Sequence, residues 1–110
     1  MGPYLPPVTF FYDPEESPRM NRRVRIVVHG HVQGVCFRSA VRDKAELEGV
    51  SGWVKNLGDG SVEAVLEGNS PAIDRLIDFC RTGPIYSRVD FIDLNEQNFT
   101  GEFHSFTIRY

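Results

Sequence analysis

Along residues 24–29, apolar Val24, Ile26 and Val28 alternate with Arg25, Val27 and His29, the period-two signature of a half-buried strand. Phe37, Ala40, Val41 and Ala45 then recur at helical spacing among the charges of Arg42, Asp43, Lys44, Glu46 and Glu48. That pattern predicts a helix over 36–48, which Gly49 stops. Residues 50–55 read as a strand and 56–60 as a tight connection ending in Asp59-Gly60. A third strand over 61–67 follows, with Val62, Ala64 and Leu66 alternating with Glu63, Val65 and Glu67. The two form a hairpin. Ser70 as cap and Pro71 at the first position open a second helix, whose stripe is Ile73, Leu76, Ile77 and Cys80 and whose end is Gly83-Pro84. Strands over 85–94 and 103–108 complete the chain.

The order β-α-β-β-α-β with one extra C-terminal strand predicts an α+β, ferredoxin-like sandwich: an antiparallel sheet with two helices on one face. Right-handed split crossovers place the third strand between the first and the second, which then run parallel. Gly30 and Asn56 therefore leave the sheet at the same end, two strand spacings or ~10 Å apart.

Chemistry is concentrated at that end. The segment Gly30-His31-Val32-Gln33-Gly34-Val35-Cys36-Phe37-Arg38 runs from a strand through a glycine-bearing loop into a helix start. A helix N-terminus carries unsatisfied N–H groups and partial positive charge, so Arg38 is misplaced there unless an anion joins it. Backbone N–H groups of Gln33, Gly34, Val35, Cys36, Phe37 and Arg38 can form an anion nest, and the Arg38 guanidinium can hold two phosphoryl oxygens in a fork. Asn56 offers a carbonyl and an NH2 that can orient a water without titrating.

Bulk numbers narrow the class. With 110 residues, 41% of them hydrophobic, the chain supports one small domain, and a net charge of −3 argues against a general nucleic-acid or anionic-membrane binder. Arg22, Arg23, Arg25 and Arg38 can supply local positive charge, although the first three read first as ordinary solvated charges. Cys36 and Cys80 show no zinc or disulfide spacing and read as thiols, Cys36 as a small loop residue more than as a nucleophile. His29 and His31 lack a carboxylate partner at recognisable spacing and read as structural or solvent-facing, while Trp53 reads as core. Asn98-Phe99-Thr100 matches a glycosylation sequon by chance, since no secretory signal or membrane-length apolar run accompanies it. Residues 1–21 hold five of the seven prolines and the aromatics Phe10, Phe11 and Tyr12. They read as an irregular N-terminal extension before a domain over 22–110, either an added leader preceding a start at Met20 or a docked arm.

The loop motif, followed by Gly52-Trp53-Val54-Lys55-Asn56 and Asp59-Gly60-Ser61-Val62-Glu63, resembles the acylphosphatase family over about Arg22 to Tyr110. The resemblance implies that Arg38 binds the phosphoryl group and Asn56 positions water, both as catalytic residues. It implies hydrolysis of small acyl phosphates to a carboxylate and inorganic phosphate, with phosphate as product or inhibitor and with no cofactor or metal. A cytoplasmic monomer without nucleic-acid or membrane partners is expected. Two other readings stay open. One is a non-catalytic acylphosphatase-like binding domain or subunit of a larger assembly. The other is an RNA-binding module, which needs paired aromatics on the central strands where this chain has Glu63 and Glu67.

Overall fold

In the computed structural model, which describes Met20–Tyr110, the elements run β1 (Asn21–His31), α1 (Phe37–Glu48), β2 (Ser51–Asn56), β3 (Val62–Asn69), α2 (Ser70–Thr82), β4 (Arg88–Gln97) and β5 (Phe106–Arg109). The rest of the expected N-terminal extension lies outside the described residues. Asn21 already belongs to the domain, pairing with Asn69.

Strand order across the sheet is β4-β1-β3-β2-β5. As the split crossovers require, β3 lies between β1 and β2 and runs antiparallel to both, while β4 pairs antiparallel with β1. The sheet is nonetheless mixed, because the extra strand β5 runs parallel to β2. The reason is the path of the chain. β4 finishes at the end remote from the glycine loop, where Gln97 faces Arg23, and residues 98–105 must cross to the opposite edge before β5 begins.

Helix and strand boundaries shift for local reasons. Asn69 caps α2, its Oδ1 accepting from the Ala72 N–H at 3.1 Å, while the Ser70 hydroxyl accepts from Arg22 at 3.2 Å. β4 starts at Arg88 because residues 84–87 turn first, the Ser87 N–H and hydroxyl both donating to the Pro84 carbonyl. β5 starts at Phe106, after the crossing segment ends.

Alternation decides which side chains meet the helices. Val24, Ile26 and Val28 from β1 and Val62, Ala64 and Leu66 from β3 join Phe37, Val41 and Ala45 of α1 and Ile73, Leu76 and Ile77 of α2 in one core. Each large member stabilises the fold by about 1.5–3 kcal/mol through burial. On the opposite face the odd positions pair charges, Arg25 with Glu63 at 2.6 Å and Arg23 with Glu67 at 3.1 Å. Trp53 is on that face too, half-buried against Arg109 and Lys55, so it is not a core residue.

Glu67 anchors the crossing segment. Only 1% of it is exposed, and its carboxylate accepts from the Thr100 N–H and hydroxyl at 2.9 Å and from the Gly101 N–H at 3.1 Å. Burial pushes the carboxyl's pKa up, but the Thr100 amide, Arg23, the Thr100 hydroxyl and the Gly101 amide outweigh it and hold the group below its ordinary value. The threonine of the sequon thus has a structural task.

Candidate active site

β1 reaches the site through a bulge between His29 and Gly30, where Gly30 takes φ 139°. A methyl group there would run into the Arg88 carbonyl oxygen. The loop then turns through two left-handed residues, Gly34 at φ 75° and Cys36 at φ 61°. Cys36 is the residue flanking α1, which has no side-chain cap and no acidic residue in its first turn. Its orphan N–H groups are therefore left for another acceptor. Phe37 is 2% exposed and sinks into the core, and the ~100° advance per residue of a helix carries Arg38 round to the sheet edge.

An open cavity of about 310 Å³ lies there, with Val32, Gly34, Cys36, Arg38, Asn56 and Tyr110 on its wall. Arg38 and Asn56, 18 positions apart in sequence, thus face one space. Of the six loop residues expected around an anion, Gly34, Cys36, Phe37 and Arg38 line it. Val35 packs toward the core instead, and the Gln33 side chain reaches away to the β2–β3 turn. No backbone N–H from Gln33 to Arg38 is engaged by an acceptor among the described residues.

Two features of the wall bear on chemistry. The Arg38 guanidinium lies over the Tyr110 ring, 4.9 Å from its centroid, and no carboxylate pairs with it among the described residues. Asn56 Oδ1 is buried and has no hydrogen-bond partner. Leaving such an acceptor unmatched costs about 1–3 kcal/mol, so the position favours a donor that arrives from outside the chain.

The three arginines of β1 are not at the site, in line with their reading as ordinary solvated charges. Arg22 bridges Asp74 and Glu96, Arg23 bridges Glu67 and Glu102, and Arg25 pairs with Glu63, so their charges are locally matched. His29 does have a carboxylate partner, Asp93 on β4 at 3.1 Å, and its ring stacks on Phe91 at 4.3 Å. That pairing depends on strand register and has no trace in sequence spacing. Cys80 is buried, its thiol pushed up to about 12 by desolvation. Tyr110 and Ile108 are cavity residues that the sequence reading missed. Their i, i+2 spacing, with Ile108 on the last strand and Tyr110 just past its end, was the available signal, but not the edge to which that strand would go.

An arginine and free amides at a helix start share this cavity with a buried unpartnered amide oxygen, at one sheet edge of a small ferredoxin-like α+β domain. The chain belongs to the acylphosphatase family. The family model described as acylphosphatase matches residues 24–108. Among relatives, the acylphosphatase of Rubrobacter xylanophilus is 48% identical over 94 residues, covering 86% of each chain. The acylphosphatase of Syntrophus aciditrophicus is 50% identical over 91 residues, covering 83% of this chain and 95% of that one. Among solved structures, the acylphosphatase from Bacillus subtilis superposes with a TM-score of 0.78 at 37% identity, covering 81% of this chain and 99% of that one.

Proposed function

We propose that this domain hydrolyses the carboxyl–phosphate bond of small acyl phosphates, with Arg38 and the 33–38 amides holding the phosphoryl oxygens and Asn56 orienting the attacking water. The observation that carries the reading is the buried, unpartnered Asn56 Oδ1 on the same cavity wall as Arg38. Family membership is what makes an acyl phosphate the substrate class.

Water donates one hydrogen bond to Asn56 Oδ1, which points a lone pair at phosphorus. As the water oxygen bonds to phosphorus, the bond from phosphorus to the acyl oxygen breaks and its electron pair leaves with the carboxylate. The proton of the water passes to the phosphate oxygens. A carboxylate is a stable leaving group without protonation, so the step requires no general acid. The loose transition state spreads charge over equatorial oxygens, where the guanidinium fork and the amides stabilise it. A metal or covalent nucleophile has no part in this sequence.

We further propose a cytoplasmic monomer that binds neither nucleic acid nor membrane. The net charge of −3, the Arg25–Glu63 and Arg23–Glu67 pairs on the open face and the carboxylates that β3 places there speak against nucleic acid and anionic membrane. Among the described residues no helix is long and apolar enough to cross a membrane.

The test is hydrolysis of a simple acyl phosphate by the wild type, Arg38→Ala and Asn56→Ala, with inorganic phosphate as competitor. We expect turnover inhibited competitively by phosphate, reduced about 100- to 1,000-fold or more in either variant. An inactive wild type, or either variant within tenfold of it, sinks the mechanism.

A further inference from the structure

We infer that Gln33 is a positioning residue whose side chain sets the registry between the Arg38 loop and Asn56. Val32 and Val35 tie the 32–36 loop to the core, but its polar side has little to fix it: its amides make no bonds to acceptors among the described residues, and two of its residues sit in the left-handed region. The Gln33 Nε2 group donates to the Leu57 carbonyl at 2.8 Å and to the Ser61 carbonyl at 2.9 Å. Both of its N–H donors are thereby used.

Those two carbonyls bracket the β2–β3 turn. Leu57 N–H closes the turn on the Ser61 carbonyl at 2.8 Å, and the Gly60 N–H reaches the Leu57 carbonyl at 3.2 Å. Asp59 stiffens it further, accepting from the Ser61 N–H at 2.9 Å and from its hydroxyl. Gln33 therefore grips a rigid turn whose first residue follows Asn56 directly. Five residues further along its own loop is Arg38. Two segments that share no strand pairing are joined through one side-chain amide, so the phosphoryl-binding half and the water-positioning half of the cavity move together. Gln33 does not touch the reacting atoms in this scheme.

The kinetic part of the inference rests on the hydrolytic reading above; a spectroscopic part does not. Gln33→Met keeps the side chain's volume and removes its donors. We expect kcat to fall about 10- to 100-fold, the scale of a misplacement near 1 Å. The inhibition constant for inorganic phosphate should change less than about threefold, because Arg38 and the amides travel with the loop. In a phosphate titration followed by 1H–15N NMR, the 33–38 amides should still shift in Gln33→Met, while the Asn56 side-chain signals, responsive in the wild type, should lose most of their response. That readout remains informative if the wild type proves inactive.

Gln33→Glu supplies a rescue within one protein. Facing two carbonyl oxygens, its carboxylate is repelled and its pKa raised, so kcat should recover as pH falls and the neutral acid regains an O–H donor. Asp59 in the turn and His29, whose charge it senses, are the neighbouring titrating groups, and the same pH series on Gln33→Met removes their effect. The inference is overturned if Gln33→Met keeps kcat within twofold, or if kcat, phosphate binding and Tm all fall together. An undiminished Asn56 response in the variant also overturns it, as does a Gln33→Glu profile that matches Gln33→Met.

Discussion

Arg38 rests on the face of Tyr110, 4.9 Å from the ring centroid, and this contact holds a cation while leaving all its N–H donors free. A carboxylate in the same place would occupy the guanidinium edge that a phosphoryl group needs. Tyr110 is 98% exposed, so its replacement should leave Tm nearly unchanged. An exposed cation–π contact contributes about 0.5–1 kcal/mol, so Tyr110→Leu should weaken phosphate binding about two- to fivefold. Tyr110→Phe should retain wild-type binding. Isothermal titration with phosphate distinguishes the two, and equal weakening in both would show that the hydroxyl, not the ring face, matters.

Cys36 takes φ 61° and ψ 26° without being glycine, at the entrance to α1. The left-handed region costs a non-glycine residue about 1–2 kcal/mol, partly offset by the greater entropy glycine loses on folding. Cys36→Gly should therefore be neutral or up to about 1 kcal/mol more stable by urea unfolding. Acyl-phosphate hydrolysis should persist. A loss of activity beyond 100-fold would make the thiol a participant.

Gly30 has the opposite standing, since a methyl at φ 139° meets the Arg88 carbonyl inside the β1–β4 ladder. Gly30→Ala should cost about 1–3 kcal/mol in strain and lost pairing. Because the displaced strand end feeds the anion loop, phosphate affinity should drop as well. Stability and binding measured on the same sample test this, and an unstrained variant with normal affinity would contradict it.

Glu67 gives acid unfolding a specific contributor. Its carboxyl is held below its ordinary value in the fold, so its stabilising contribution is fully present above the unfolded pKa of about 4.3. That contribution is lost as pH falls through the lower folded value. Glu67→Gln should remove about 2–3 kcal/mol at neutral pH, since charged hydrogen bonds to Thr100, Gly101 and Arg23 are weakened together. It should also flatten the stability-versus-pH curve below about pH 4. Thermal unfolding across pH 3–7 is the measurement, and parallel curves for both proteins would count against the assignment.

Much of the fold was legible because its signals are local. The alternation of Val24, Ile26 and Val28, the helical stripe from Phe37 to Ala45 and the Asp59-Gly60 turn each lie within a dozen residues, and each became the expected element. Handedness of the crossovers places the ends of β1 and β2 together, which is why the sequence already puts Arg38 and Asn56 at one sheet edge. What escaped were facts of register and edge choice. His29 meets Asp93 only because β4 pairs with β1, and Trp53 faces the open side because Val54, not Trp53, shares the parity of the core.

The sequence by itself determined the elements, their order and the two chemical groups of the site, since periodicity, glycine placement and a cation at a helix start are properties of neighbouring residues. Only the tertiary structure decided which cations are available, that Tyr110 rather than a carboxylate holds Arg38, and that Gln33 joins the two halves of the cavity. These contacts link residues 24–79 positions apart. The Tyr110 contact depends on where the chain crosses the sheet after β4, which Glu67 fixes by holding Thr100 and Gly101, and the Gln33 contact on the packing of the β1 loop beside the β2–β3 turn; no local pattern encodes either.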